Sequence, residues 1–147
     1  MCLECQGWTK REVYAWMRSR ILEHGFTITM VEPDGPANPP FAYTVGLSRV
    51  DHPEIICFNM CPACAERALT PLARAVLDLE VRLSEGAEVD HFFGPEATGA
   101  QLLEFPDSST HLFDANNFYR RAGGPPPVPA LQLLWPDYVP LLHGLRR

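Results

Sequence analysis

The sequence predicts an α+β fold: a mainly antiparallel sheet of about five strands with two or three helices packed on it. Three observations predict it. A capped stretch with helical spacing opens the chain, three strand-like runs with short connections follow, and a second helical run comes after them. With 147 residues, 46% hydrophobic and 20% charged, the chain has the size and composition for one core, so residues 1–147 are read as a single domain. Within it, residues 1–8 form a Cys-x-x-Cys arm and residues 136–147 an irregular tail.

The first helix is bounded by its own chemistry. Thr9 and Glu12 have the spacing of a capping box, and Gly25 follows as a stop. Between them Val13, Trp16, Met17, Arg20 and Ile21 fall near one face. The period then changes to two. Phe26, Ile28 and Met30 alternate with Thr27 and Thr29, and Phe41, Tyr43, Val45 and Leu47 alternate with Ala42, Thr44, Gly46 and Ser48. Residues 54–60 form a short, largely apolar run, as a strand buried on both faces requires, and the three strands together suggest an antiparallel meander.

A second helix starts at Cys61-Pro62, since proline suits the first helical position. Ala65, Leu69, Leu72, Val76 and Leu79 continue it, and Pro71 predicts a kink or a fresh start capped by Thr70. Further on, a strand near 101–105, a helix near 112–121 and a strand near 131–135 complete the set. Prolines cluster at 33–40 and 125–129, marking two rigid connections too short to separate domains.

Charge and composition exclude some functions. A net charge of −6 argues against a phosphate-backbone binder, which needs clustered Lys and Arg, so direct nucleic-acid binding is not expected. No run approaches the roughly 18–20 apolar residues of a membrane helix, and no membrane association is expected. Met1 to Gln6 has neither the basic nor the apolar region of a secretory signal. Five cysteines without such a signal point to the cytoplasm, where thiols hold metal or exchange electrons more often than they staple loops. No phosphate loop, dinucleotide fingerprint or Gly-x-Ser-x-Gly elbow occurs, so no nucleotide cofactor is indicated.

Four stretches resemble a bacterial family known as domain of unknown function 4262. They are His24-Gly25-Phe26, the run from Phe41 through Ala42, Tyr43, Thr44, Val45 and Gly46 to Leu47, His52-Pro53-Glu54, and Ala130 to Asp137 with Leu131, Gln132, Leu133, Leu134, Trp135 and Pro136 between. Similar chains often open with Met-Cys-x-x-Cys, matched here by Cys2 and Cys5. The resemblance supports one domain over roughly residues 2–137 and implies no reaction. Cys61-Pro62-Ala63-Cys64 departs from the family pattern, which implies a cysteine-free, proline-rich turn there.

The cysteines carry the first chemical expectation. Cys2, Cys5, Cys61 and Cys64 make two Cys-x-x-Cys pairs, and four thiolates so arranged form a closed tetrahedral zinc site. The gap of 55 residues between Cys5 and Cys61 is long for a compact zinc ribbon, so the fold would have to bring the N-terminus to the second helix. Cys57 and His111 are reserve ligands. The second expectation is thiol–disulfide exchange: Cys61 caps a helix, whose positive end favours a thiolate, and Cys64 would resolve the mixed disulfide. Unligated, inert thiols are the third.

The Asp51-His52-Pro53-Glu54 turn offers His52 as a general base, against the simpler reading that Asp51 and Pro53 shape the turn and Glu54 begins a strand. The small residues Ala42, Thr44, Gly46 and Ser48 leave room for a helix or a ligand. A ligand pocket, if present, is expected among Tyr43, Thr44, Gly46, His52, Glu54, Gln132 and Trp135. Together these features favour a zinc-binding or zinc-responsive regulatory module with a protein partner over an enzyme. The alternatives are an oxidoreductase using Cys61 and Cys64, or a small-molecule enzyme using His52.

Overall fold

The computed structural model describes residues 6–121 and 127–135. Helix α1 (Lys10–His24) starts at Thr9, whose hydroxyl accepts from the Glu12 N–H at 3.1 Å while the Glu12 carboxylate accepts from the Thr9 N–H at 2.8 Å. It ends at Gly25, which adopts the left-handed conformation (φ 92°) and donates to the Ile21 carbonyl at 2.8 Å. Val13, Tyr14, Met17 and Ile21 are its buried side. Trp16 is only half-buried and Arg20 is exposed, so the apolar stripe is narrower than the sequence suggests.

Strands β1 (Thr27–Val31), β2 (Phe41–Val45) and β3 (Glu54–Phe58) form the expected antiparallel meander, with Thr29 opposite Tyr43 and Tyr43 opposite Ile56. Helix α2 (Pro62–Asp78) follows with Pro62 in its first turn. Beyond it come β4 (Gln101–Glu104), the short α3 (Ser108–His111), α4 (Phe113–Arg121) and β5 (Ala130–Leu134). The sheet order is β1-β2-β3-β5-β4: β5 inserts between β3 and β4, parallel to the first and antiparallel to the second.

Helices cover both faces of the sheet. On one face α2 packs Leu69, Leu72 and Val76 over Ala42, Ile55, Cys57, Leu131 and Leu133. On the other, α1 and α4 close over Tyr43, Val45, Ile56 and Ala130. Packing also settles the question raised by Pro71. Helix α2 runs through it without restarting, because burying Leu69, Leu72 and Val76 contributes about 1.5–3 kcal/mol each, more together than the ~3 kcal/mol an internal proline costs. The carbonyl that Pro71 leaves without a donor belongs to exposed Arg67, where water can serve it.

Candidate functional site

A glutamate at the start of a central strand must either reach water or find donors, and Glu54 finds donors. It is fully buried. Its Oε1 accepts from the Thr44 hydroxyl at 2.7 Å and the Leu47 N–H at 3.2 Å. Its Oε2 accepts from the Gly46 N–H at 3.2 Å, the Ser48 N–H at 2.9 Å and the Ser48 hydroxyl at 2.8 Å. The three amides converge because a single 3-10 turn, Leu47–Val50, begins immediately after β2. The β2–β3 ladder gives way at the same point, where the Thr44 hydroxyl takes the Ile55 N–H at 2.9 Å. Burial pushes the Glu54 carboxyl above its ordinary value, and the hydrogen bonds from Thr44, Ser48 and Gly46 pull it back in part. The Tyr119 hydroxyl of α4 is buried beside this carboxyl, and burial and the Glu54 charge both push it upward.

His52 is held from both sides. Its Nδ1 lies 2.8 Å from the Pro53 carbonyl, and its Nε2 lies 3.0 Å from the Leu83 N–H. Since Leu83 can only donate, Nε2 accepts, the proton sits on Nδ1, and the ring is neutral. Arg82 fastens the same turn by donating to the carbonyls of Val50 and Asp51. Asp51 itself is left-handed (φ 61°), which fits its expected role in shaping the turn. Burial holds His52 below its ordinary 6.5. The unfolded chain therefore takes up a proton before the folded one does, and stability is lost as pH falls below 6.5 toward the folded value. Unfolding measured between pH 7 and pH 5 should show the wild type losing up to about 1.4 kcal/mol per pH unit relative to His52→Gln. Parallel curves for the two proteins would remove this account.

Cys61 and Cys64 form a disulfide, with Cα atoms 5.0 Å apart. Cys61 is the N-cap of α2, and its sulfur accepts from the Cys64 N–H at 3.1 Å. The two sulfurs differ in access: Cys64 is buried, with the Arg67 guanidinium 3.8 Å from its sulfur, whereas Cys61 is half-buried. Cys61 opens on a hollow of about 230 Å³ between Met30, Pro33, Phe41, Asn59 and Pro62.

The remaining expected residues are dispersed. Cys2 and Cys5 lie outside the described residues. Cys57 is buried in β3 beneath α2, and burial pushes its thiol up to about 12. His111 sits among Phe41, Phe58 and Phe105, with ring centroids 5.1, 5.6 and 5.2 Å away. Among the described residues no group of three or more His, Cys, Asp or Glu side chains is placed to hold a metal ion. Thr44, Gly46 and Glu54 meet in the carboxyl cradle, whereas the Tyr43 hydroxyl accepts from the Asp114 N–H at 3.0 Å. Gln132 lies opposite Ile56 on β5, and Trp135 packs edge-on against Phe93 at 4.7 Å. A larger hollow of about 730 Å³ lies beside Pro53, Leu83, Phe105 and Ala130, and none of the seven expected pocket residues lines it.

The Leu47 amide, Ser48 and Tyr119 join the cradle from outside the residues expected to line a pocket. A signal for the cradle was present, because an acidic residue heading an otherwise apolar strand calls for buried donors. No signal pointed to Tyr119, which arrives from a distant helix.

No helix among the described residues is long and apolar enough to cross a membrane. No curated protein matches the chain, and no solved structure does. Residues 20–139 match a family described as Domain of unknown function (DUF4262).

Proposed function

The chain belongs to the DUF4262 family, and on the ground of its own cysteine pair we propose that it acts as a thiol–disulfide couple, with Cys61 as the sulfur attacked and Cys64 as the resolving thiol. One observation carries this reading: the bonded pair caps α2 with Cys61 facing a hollow and Cys64 buried behind it. That asymmetry gives an incoming thiolate access to one sulfur and makes the other the leaving group. The helix end stabilises negative charge on sulfur, and the Cys64 N–H supplies a donor at 3.1 Å to Cys61.

The test is exchange with dithiothreitol and with glutathione, followed by counting thiols with and without denaturant. Two thiols that appear and disappear reversibly are expected. Offered oxidised glutathione, Cys64→Ser should hold a stable mixed disulfide on Cys61 with release of one glutathione, and Cys61→Ser should abolish exchange. A pair that stays bonded in excess dithiothreitol overturns the reading.

Zinc ligation by Cys2, Cys5, Cys61 and Cys64, in a module that answers to zinc and binds another protein, is the second reading. It is favoured by the two Cys-x-x-Cys pairs and by the way one turn presents two sulfurs together. Purified without chelator, such a protein would carry equimolar zinc, with its four thiols protected until denaturation. Metal-free protein with a reversibly exchanging Cys61–Cys64 pair excludes it.

A further inference from the structure

We propose that the reaction partner of the Cys61–Cys64 pair is an extended polypeptide segment, added as an extra strand along the edge of β1, with a pair of cysteines at one end and an acidic residue at the other. The proposal rests on the thiol–disulfide reading and names its substrate class.

The two edges of the sheet are treated differently. The outer edge of β4 is occupied, since Gly86 donates to the Leu102 carbonyl at 2.7 Å, Leu102 donates to Ala87 at 2.9 Å, and Glu88 bridges Gln101. Among the described residues β1 pairs with β2 alone. Its sequence, Thr27-Ile28-Thr29-Met30-Val31, holds no charge, no proline and no glycine, the devices that usually keep an edge from acquiring another strand. An undefended edge of this kind offers its backbone to one sort of ligand, an extended chain.

A groove follows that edge. A hollow of about 380 Å³ is floored by Ile28 and Met30, with Trp16 and Arg20 of α1 on one wall and Thr70 and Arg74 of α2 on the other. Met30 lines both this hollow and the one at Cys61, so a strand laid along β1 past Met30 would run from one to the other.

The far end of the groove presents the exposed Arg20 guanidinium, although the chain as a whole carries −6. Arg20 and Glu66 line it together with Arg74, whose guanidinium is already paired with Asp78 at 3.2 Å. Each guanidinium lies over a ring, Arg20 over Trp16 at 5.5 Å and Arg74 over Phe26 at 5.0 Å. The Arg74 Nε is buried and has no hydrogen-bond partner. A carboxylate laid in this end would instead meet the exposed Arg20 guanidinium. From Cys61 to Arg74 the helix rises about 20 Å, the reach of about six residues of extended chain, which sets the spacing between the partner's acidic residue and its cysteine.

The chemistry balances in one turnover. A thiolate of a partner dithiol attacks Cys61 Sγ, the sulfur–sulfur bond to Cys64 breaks, and the Cys64 thiolate takes a proton. The partner's second thiolate then attacks its own sulfur in the mixed disulfide and releases Cys61 as thiolate. The partner dithiol is oxidised to a disulfide and the Cys61–Cys64 pair is reduced to two thiols.

The test uses synthetic peptides that place glutamate about six residues from a pair of cysteines, in either direction. Binding is read by fluorescence anisotropy on versions with serine for cysteine, and exchange by the rate at which the dithiol peptides reduce the pair, with dithiothreitol as reference. The glutamate peptide should bind about tenfold more tightly than its lysine counterpart. Backbone N-methylation should abolish binding, and Arg20→Glu should invert the charge preference. If dithiothreitol opens the pair but the peptides bind without preference or not at all, the groove is overturned and the thiol reading stands. If dithiothreitol leaves the pair bonded, both fall. A concentration-dependent dimer in sedimentation that the peptide does not dissociate overturns the groove in favour of a second copy of the chain.

Discussion

Glu54→Ala should cost the fold about 4 kcal/mol or more, a loss reserved for a short list of buried defects. The substitution removes the acceptor for three backbone amides and two hydroxyls that now lie 2.7–3.2 Å from the carboxyl oxygens. Each buried donor left unmet costs about 1–3 kcal/mol, and water entering the vacated space offsets only part of it. Glu54→Gln keeps one oxygen and should cost about 2 kcal/mol, because its amide nitrogen turns a donor toward donors. The pH dependence separates charge from shape. Burial raises the folded value of this carboxyl above its ordinary 4.5, so the native state holds the proton more tightly than the unfolded chain. The resulting stabilisation is present below 4.5 and is lost as pH rises through the folded value, while Glu54→Gln shows no such slope. Urea unfolding of the three proteins between pH 4 and pH 7 measures all of this, and an alanine variant within about 1 kcal/mol of wild type would contradict the cradle's importance.

Gly46→Ala should be about as damaging, at about 3 kcal/mol or more, for a reason unrelated to charge. Gly46 has φ 141°, and a Cβ there would stand 2.5 Å from the Gly25 carbonyl oxygen and 2.8 Å from the Phe26 Cα. Both obstacles are backbone, so neither can swing aside. The move needed to relieve them would draw the Gly46 N–H off Glu54, which couples the two defects. Gly35→Ala is the control: Gly35 also has positive φ (81°), but a Cβ there meets nothing within 4 Å, so its cost should stay near ~1 kcal/mol. Thermal unfolding of the two variants side by side isolates the close approach from the strain of positive φ, and equal losses would refute it.

These two sites show what the family-like stretches accomplish. His24-Gly25-Phe26, the strand ending in Gly46-Leu47, and the His52-Pro53-Glu54 turn are distant in sequence, yet Gly46 seats against the first while its amide binds the third. Together they build one junction. The cysteine pair stands apart from it, at the head of α2 beside a hollow that Met30 and Val31 of β1 also line.

The sequence by itself determined the elements whose causes lie within a few residues. The Thr9–Glu12 capping box and left-handed Gly25 bound α1, period-two alternation marks β1 and β2, and Pro62 opens α2 with Cys61 as its cap. The tertiary structure alone decided what depends on strand order and on helices arriving from elsewhere. It placed β5 parallel beside β3, carried α2 through Pro71, brought Tyr119 to Glu54, and turned both nitrogens of His52 into structural contacts. The division is physical. Caps, turns and side-chain periods act over one or two turns of chain, whereas a buried carboxyl and an unpaired sheet edge acquire their meaning from neighbours that only the assembled sheet supplies.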